Sequence, residues 1–327
     1  MYPYQMKRHL LTVLSLIAAS SKCRGGTRAQ EELGDDVIVT RIPEEAPRRR
    51  EDVNASSSSN TAIRERPKIY TYFDRIEYNT ELVAGMSPEN HTELLDLWAT
   101  TWNEYGWDPV VLDRTSVERH SDYPEFRNKV SRLKLDDLGE ILFHRWFAMV
   151  AVGGGWFADY DVFPIVSSEK IDDDEFSRIH VMTVFDIAAP SLAAGSSQDW
   201  NETLNLLLDD ALEYTTMNTE QPGPNDIVPA FHFWTDALGI LNLLRDYKLK
   251  SIKSERRVAT PYGAKDPIFS DAGCNSKPFR GRWAVHVGPQ VLQSAPHVPP
   301  AKRHPKFRAE LAEEWLEQWK SKCRSIQ

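Results

Sequence analysis

The sequence predicts an α/β fold, a layered sheet flanked by helices, and two observations predict it. Short aromatic and β-branched runs alternate with longer segments whose apolar residues recur at helical spacing. The chain is also long and apolar enough for one large domain or two modest ones, with 327 residues of which 41% are hydrophobic.

The elements follow in order. Residues 68–73 are aromatic and β-favouring and read as the first strand. Leu94, Leu95, Trp98 and Trp102 recur at helical spacing and predict an amphipathic helix that Gly106 ends. Residues 109–112 read as a second strand. Leu138, Ile141, Leu142, Trp146, Met149 and Val150 form another apolar helical face. Gly153, Gly154 and Gly155 stop that helix, because glycine lowers helix stability. Residues 180–185 read as a buried strand, 203–214 and 235–247 as helices, and 283–287 as another short strand. Residues 307–320 form a final amphipathic helix with Leu311, Trp315 and Trp319 on one side.

The N-terminal part has a different character. In residues 1–22, Lys7 and Arg8 precede an apolar stretch and then Ala18, Ala19, Ser20 and Ser21, the pattern of a secretory signal peptide or short signal anchor. The apolar stretch is shorter than the roughly 20 residues a spanning helix needs, which fits a cleaved signal better than an anchor. Residues 23–66 read as a disordered stem, since a segment so rich in Arg, Ser, Pro, Glu and Asp buries too little apolar surface to offset its ordering entropy. Residues 67–327 are left as the catalytic domain. Of the three cysteines, Cys23 lies beside the cleavage zone, while Cys274 and Cys323 either pair in an oxidising lumen or remain buried thiols. Sequons at Asn54, Asn90 and Asn201 agree with a lumenal chain. The expected location is therefore the secretory pathway, in the Golgi lumen or secreted. A formal net charge of −9 argues against a nucleic-acid partner, and contact with a membrane is expected only if the N-terminal segment stays as an anchor.

The chemistry is expected in one stretch. A helix carrying Arg145 runs into the glycines, then a short aromatic strand, then Asp159 and Asp161 one residue apart. In an extended segment the two carboxylates point the same way; a turn after Asp159 instead lets one ligate directly and the other through water. Either way two hard oxygen donors converge, as Mg²⁺ and Mn²⁺ prefer. An Asp-x-Asp pair alone says little. Here it follows apolar and glycine residues and precedes Val162-Phe163-Pro164-Ile165, which puts it at the end of a buried strand, where ligands of open α/β sheets bind. The acidic run 172–175 lacks that context and reads as a solvated loop.

Gly154-Gly155-Trp156-Phe157-Ala158-Asp159-Tyr160-Asp161-Val162 resembles the DXD sugar-binding region of glycosyltransferase family 32. Residues 222–224 followed by Thr235-Asp236-Ala237 are loosely similar to that family's Thr-Gly-Pro stretch. The resemblance implies a GT-A-like, Rossmann-type mixed sheet flanked by helices, a nucleotide-sugar donor, a glycan or glycolipid acceptor, Mn²⁺ or Mg²⁺ as cofactor, and transfer with retention of configuration. It implies that Asp159 and Asp161 are catalytic and metal-binding, and that Arg145, Gly154 and Gly155 lie against the donor. Two positions depart from the pattern: Leu142 stands where the family has an Asp before its helix Arg, and Gln221 precedes Pro222 where it has a Thr.

Other residues carry two readings each. Arg145 either reaches the donor phosphate or pairs structurally. Tyr70 and Tyr72, on the first strand, either stack on the nucleotide base or pack in the core. His286, late in the chain and just before Gly288, is either a third metal ligand or a core histidine. As a ligand it must be neutral, and its unperturbed pKa is near 6.5. Asp226 and Asp236 offer carboxylates to acceptor hydroxyls, His144 reads as a helix-face residue, and His232 as packed or facing the acceptor. The competing function classes are a degenerate transferase that binds without turnover, which Leu142 favours, and a two-metal phosphoesterase, whose cluster of carboxylates and histidines is not found in the sequence.

Overall fold

A computed structural model of the chain describes residues 65–74, 85–135, 137–171, 181–186, 190–217, 234–245, 252–263, 265–270 and 273–323. The chain divides into two units, Met1–Glu65 and Arg66–Gln327. All but one residue of the first unit, and with it the signal and stem segments, lies outside the described residues, as do the acidic run 172–175, residues 222–224, Asp226 and His232.

In the second unit a six-stranded mixed sheet has the order β2-β1-β3-β6-β5-β7. Its strands are β1 (Lys68–Tyr72), β2 (Asp108–Leu112), β3 (Gly154–Ala158), β5 (Met182–Val184), β6 (Leu192–Ser196) and β7 (Ile252–Ser254). β1 runs parallel to β2 and β3, β6 is antiparallel to β3 and β5, and β5 is parallel to β7. A second sheet has the order β4-β9-β8, from β4 (Val162–Pro164), β8 (Val258–Ala259) and β9 (Ala284–His286). The helices are α1 (Pro88–Glu104), α2 (Arg114–Glu118), α3 (Tyr123–Ser131), α4 (Asp137–Ala151), α5 (Ser197–Met217), α6 (Asp236–Arg245), α7 (Pro289–Ser294) and α8 (Arg308–Cys323). This is the α/β sheet flanked by helices that the alternating periodicities lead one to expect.

The large sheet is covered on both faces, and the two-residue period of its strands divides the core. Trp156 and Ala158 of β3, with Leu192 and Ala194 of β6, join a cluster with α1, α8 and the small sheet. Phe157 and Ala193, the residues between, face a second cluster with α4, α5 and α6. Strand-forming β6 went unrecognised in the sequence because Leu-Ala-Ala-Gly-Ser lacks the β-branched and aromatic signal; pairing with β3 along five positions makes it a strand. α2, α3, α7, β7 and β8 are short elements of the same kind, decided by what they pack on. On α4 the deeply buried residues are Phe143, Trp146, Phe147 and Met149, while Ile141, Leu142 and Val150 are half-buried. The expected stripe is thus rotated, because α5 covers this helix as well as the sheet.

The glycine run does end α4, at Ala151, but Gly154 and Gly155 belong to β3. Gly154 has φ +84°, and a Cβ there would lie 2.5 Å from the backbone of Ser196 and of Ser197. The residue is glycine because β6 turns into α5 directly against it.

Cys274 and Cys323 form a disulfide that ties the end of α8 to the loop before β9. Within α8, Trp315 stacks on Trp319 and on Phe279, Trp319 meets Phe279 at a tilt, and Trp315 Nε1 donates to buried Asp266 at 2.8 Å.

Candidate functional site

β3 leads out of the large sheet and β4 enters the small one, and the acidic pair occupies the crossing. Asp159 N donates to Ser191 O at 2.8 Å, and Val162 N donates back to Asp159 O at 2.9 Å. That second bond closes a four-residue turn over Asp159-Tyr160-Asp161-Val162, so the pair sits on a turn rather than on continuous strand. Asp161 O accepts from Val287 N at 2.9 Å.

Each carboxylate has its own cationic partner. Arg145 Nη1 donates to Asp159 Oδ1 at 2.7 Å, while Nε and Nη2 of the same guanidinium donate to Asp236 Oδ2. Trp146 Nε1 donates to that oxygen as well, at 2.8 Å. Asp161 Oδ2 accepts from Nη2 of Arg308, the first residue of α8, whose Nε also donates to Val287 O at 3.2 Å. The Arg308 guanidinium lies 5.9 Å from the Tyr160 ring centroid.

His286 is where the pairing of β4 with β9 puts it, opposite Val162. Its Nε2 lies 3.4 Å from Asp161 Oδ2 and its Nδ1 lies 3.5 Å from Asp186 Oδ2. Burial disfavours charge on this imidazole, but Asp161 and Asp186 outweigh it and lift the pKa to about 10. The unperturbed value near 6.5 assumed from sequence therefore does not apply. Burial likewise opposes charge on Asp161, yet His286 and Arg308 hold its carboxyl well below the usual range. Asp159 moves the other way: burial raises it, Arg145 lowers it, and the charge of Asp161 adds to the rise.

The remaining candidates are spread more widely. The ring of Tyr70 lies over Gly155, 3.4 Å from where a Cβ would be. Tyr72 is in the core, stacked with His144 at 6.4 Å between centroids, and its hydroxyl reaches Asp74 Oδ2 at 3.4 Å. Burial pushes the Tyr72 phenol far above its ordinary pKa. His144 is fully buried rather than on an open helix face, with Nδ1 2.8 Å from Glu140 O and Nε2 3.4 Å from Tyr123 Oη. Asp236 is also buried, held by Arg145 and Trp146.

Two site residues, Arg308 and Asp186, escaped sequence reasoning, and so did the pairing of a third, Asp236, with Arg145. Arg308 carried a signal: it lies on the same helical stripe as Leu311, Trp315 and Trp319, so a charge was due to be buried there. Asp186 lies two residues past the end of buried β5, much as Asp159 lies just past β3. For Asp236 as a partner of Arg145 there was none, since the two are 91 positions apart.

Among the described residues no three His, Cys, Asp or Glu side chains already form a metal cage. Asp161 and His286 supply one oxygen and one imidazole nitrogen side by side, with Asp186 behind the imidazole. Carboxylate-backed histidine is a common arrangement in metal sites. Mg²⁺ and its relatives complete a sparse protein shell with water and substrate phosphates. One carboxylate oxygen and, once His286 gives up its proton, one imidazole nitrogen are donors of kinds that a divalent cation such as Mn²⁺ accepts.

The fold and site define a mixed α/β protein with an acidic turn at the end of a central strand. The chain belongs to the family described as a domain of unknown function, DUF8765, whose model matches residues 57–221, half of its length. No curated protein matches it. A solved structure described as a glycosyltransferase involved in the glycosylation of the major capsid of PBCV-1 aligns over 75% of this chain and 100% of its own, at 9% identity and a TM-score of 0.34.

Proposed function

We propose that this protein is a metal-dependent glycosyltransferase that moves a hexose from a UDP- or GDP-sugar to a glycan or glycolipid acceptor. One observation carries the reading: Asp159 and Asp161 share a turn at the end of β3, with Arg145 on the first and His286 beside the second. When bound, Mn²⁺ or Mg²⁺ supplies charge stabilisation to the departing diphosphate. Asp159, Asp161 and His286 would hold it, Asp186 would orient the imidazole, and Arg145 would line the donor side. In retaining transfer the bond from the anomeric carbon to the phosphate oxygen breaks and a bond to the acceptor oxygen forms. The acceptor's proton passes to the leaving diphosphate, so no separate protein base is needed.

The Cys274–Cys323 disulfide supports a secretory location, since such bonds persist in oxidising compartments. Of the sequons among the described residues, Asn90 lies in the first turn of α1, its Oδ1 accepting from Ser87 N at 3.2 Å, and Asn201 is exposed on α5.

The test is a panel of UDP- and GDP-sugars with Mn²⁺, scored for donor hydrolysis, with Asp159→Asn and Asp161→Asn alongside wild type. Turnover by wild type and a loss of orders of magnitude in both variants is expected. Near wild-type turnover in both variants ends this reading. A degenerate carrier is the second reading, favoured by the arginine already paired with each carboxylate; it is adopted if nucleotide-sugar binds without turnover.

A further inference from the structure

Asp236 is 3% exposed, and its Oδ2 collects three donors: Nε and Nη2 of Arg145 and Nε1 of Trp146. A buried carboxylate is retained at a cost unless it is paired and hydrogen-bonded, and this one is. It opens helix α6, where the helix dipole favours a negative charge.

What matters is the part of Arg145 that Asp236 leaves over. A guanidinium is a rigid planar fork. With Nε and Nη2 held by Asp236 the plane of the guanidinium is set, and in that pose Nη1 donates to one oxygen of Asp159, Oδ1, at 2.7 Å. The Phe157 ring, 5.9 Å from the guanidinium carbon, borders the same group. Side-chain exposure rises along the relay, from 4% at Asp236 through 14% at Arg145 to 22% at Asp159. The network is anchored in the interior and opens at Asp159. Alone with Asp159, Arg145 would be free to close on both of its oxygens, the favoured fork-to-carboxylate geometry.

We propose that Asp236 is the positioning residue of this site: by anchoring Arg145 it fixes the Asp159 carboxylate and confines the arginine to one of its oxygens, leaving the other to a ligand. What Asp159 does with that oxygen rests on the transferase reading; the positioning does not. A merely structural Asp236 ties α6 to α4 and affects stability alone.

Asp236→Asn keeps the shape and removes the charge. Asp236→Glu keeps the charge and moves it by one methylene, and it serves where the asparagine variant fails to fold. The readouts are Mn²⁺ binding to donor-free protein by electron paramagnetic resonance, donor KM and kcat in the hydrolysis assay, melting temperature, and a crystal structure of the variant. Expected are a weakening of Mn²⁺ binding of about tenfold, the usual effect of losing a partner behind a metal site, a parallel rise in donor KM, and Arg145 swung onto both Asp159 oxygens. A folded variant with a lower melting temperature but unchanged Mn²⁺ binding, KM and Arg145–Asp159 geometry overturns the proposal. Asp159→Asn separates the two ideas. If it alone abolishes binding while the Asp236 variants behave as wild type, only the positioning role fails. If Asp159→Asn changes nothing, the transferase reading fails, and the variant crystal structure still decides the positioning.

Discussion

Arg308, the first residue of the last helix, donates a hydrogen bond to the carboxylate of Asp161, 147 positions earlier in the chain. Side-chain exposure is 3% for the arginine and 11% for the aspartate. The pair joins the acidic turn to the C-terminal helix, which the Cys274–Cys323 disulfide anchors at its far end.

Breaking that pair from one side should be costly. Arg308→Ala leaves Asp161 with His286 as its remaining cationic partner and takes the Arg308 Nε donor from Val287 O, and a loss of about 3–5 kcal/mol is expected. Urea denaturation of the variant and wild type measures it. A loss below about 1 kcal/mol, the range of surface pairs, would show that the charge of Asp161 is met by other means.

Two neighbouring glycines should respond differently to the same substitution. Gly153 and Gly154 both have left-handed backbone, φ +88° and +84°. A methyl group at 153 meets nothing within 4 Å, so Gly153→Ala costs only the conformational term, about 1–2 kcal/mol. At 154 the methyl also strikes the Ser196–Ser197 backbone, and overpacking adds about 1–3 kcal/mol more. Equal destabilisation of the two variants would mean that β6 yields at no cost.

The His286–Asp161 contact should make the stability of the metal-free protein depend on pH in a defined window. His286 is raised from near 6.5 to about 10, so its contribution is complete below about pH 6.5 and disappears as pH rises through 10. Asp161 is lowered, so its contribution is present above about pH 4 and disappears as pH falls through its folded value. In EDTA, the melting-temperature gap between wild type and His286→Asn should be widest from about pH 4 to 6.5 and close toward pH 10. A gap that widens above pH 7 is incompatible with a charged imidazole at this position.

Much of the fold was legible in the sequence because it was written in local terms. The β1 and β2 strands, the ends of α1 and α4, and the stripe of α8 rest on periodicity and on glycine, which act over a few residues. The acidic pair was legible for the same reason: apolar residues flank it closely enough to imply a strand end. β6, by contrast, has a sequence that suits no element strongly and exists as a strand only because β3 and β5 hydrogen-bond to it on either side.

By itself, then, the sequence determined the longer helices, the first two strands and that Asp159 and Asp161 stand together at a strand end. The tertiary structure decided what faces them. Arg145 comes from the preceding helix, but Asp236, His286 and Arg308 arrive from elements 77 to 147 positions beyond Asp159 and Asp161, brought in by strand pairing and helix docking. Charge works through space at a few ångströms whatever the separation along the chain. For that reason the ionisation of the two carboxylates, opposite in direction though they lie two residues apart, belongs to the fold and not to the motif.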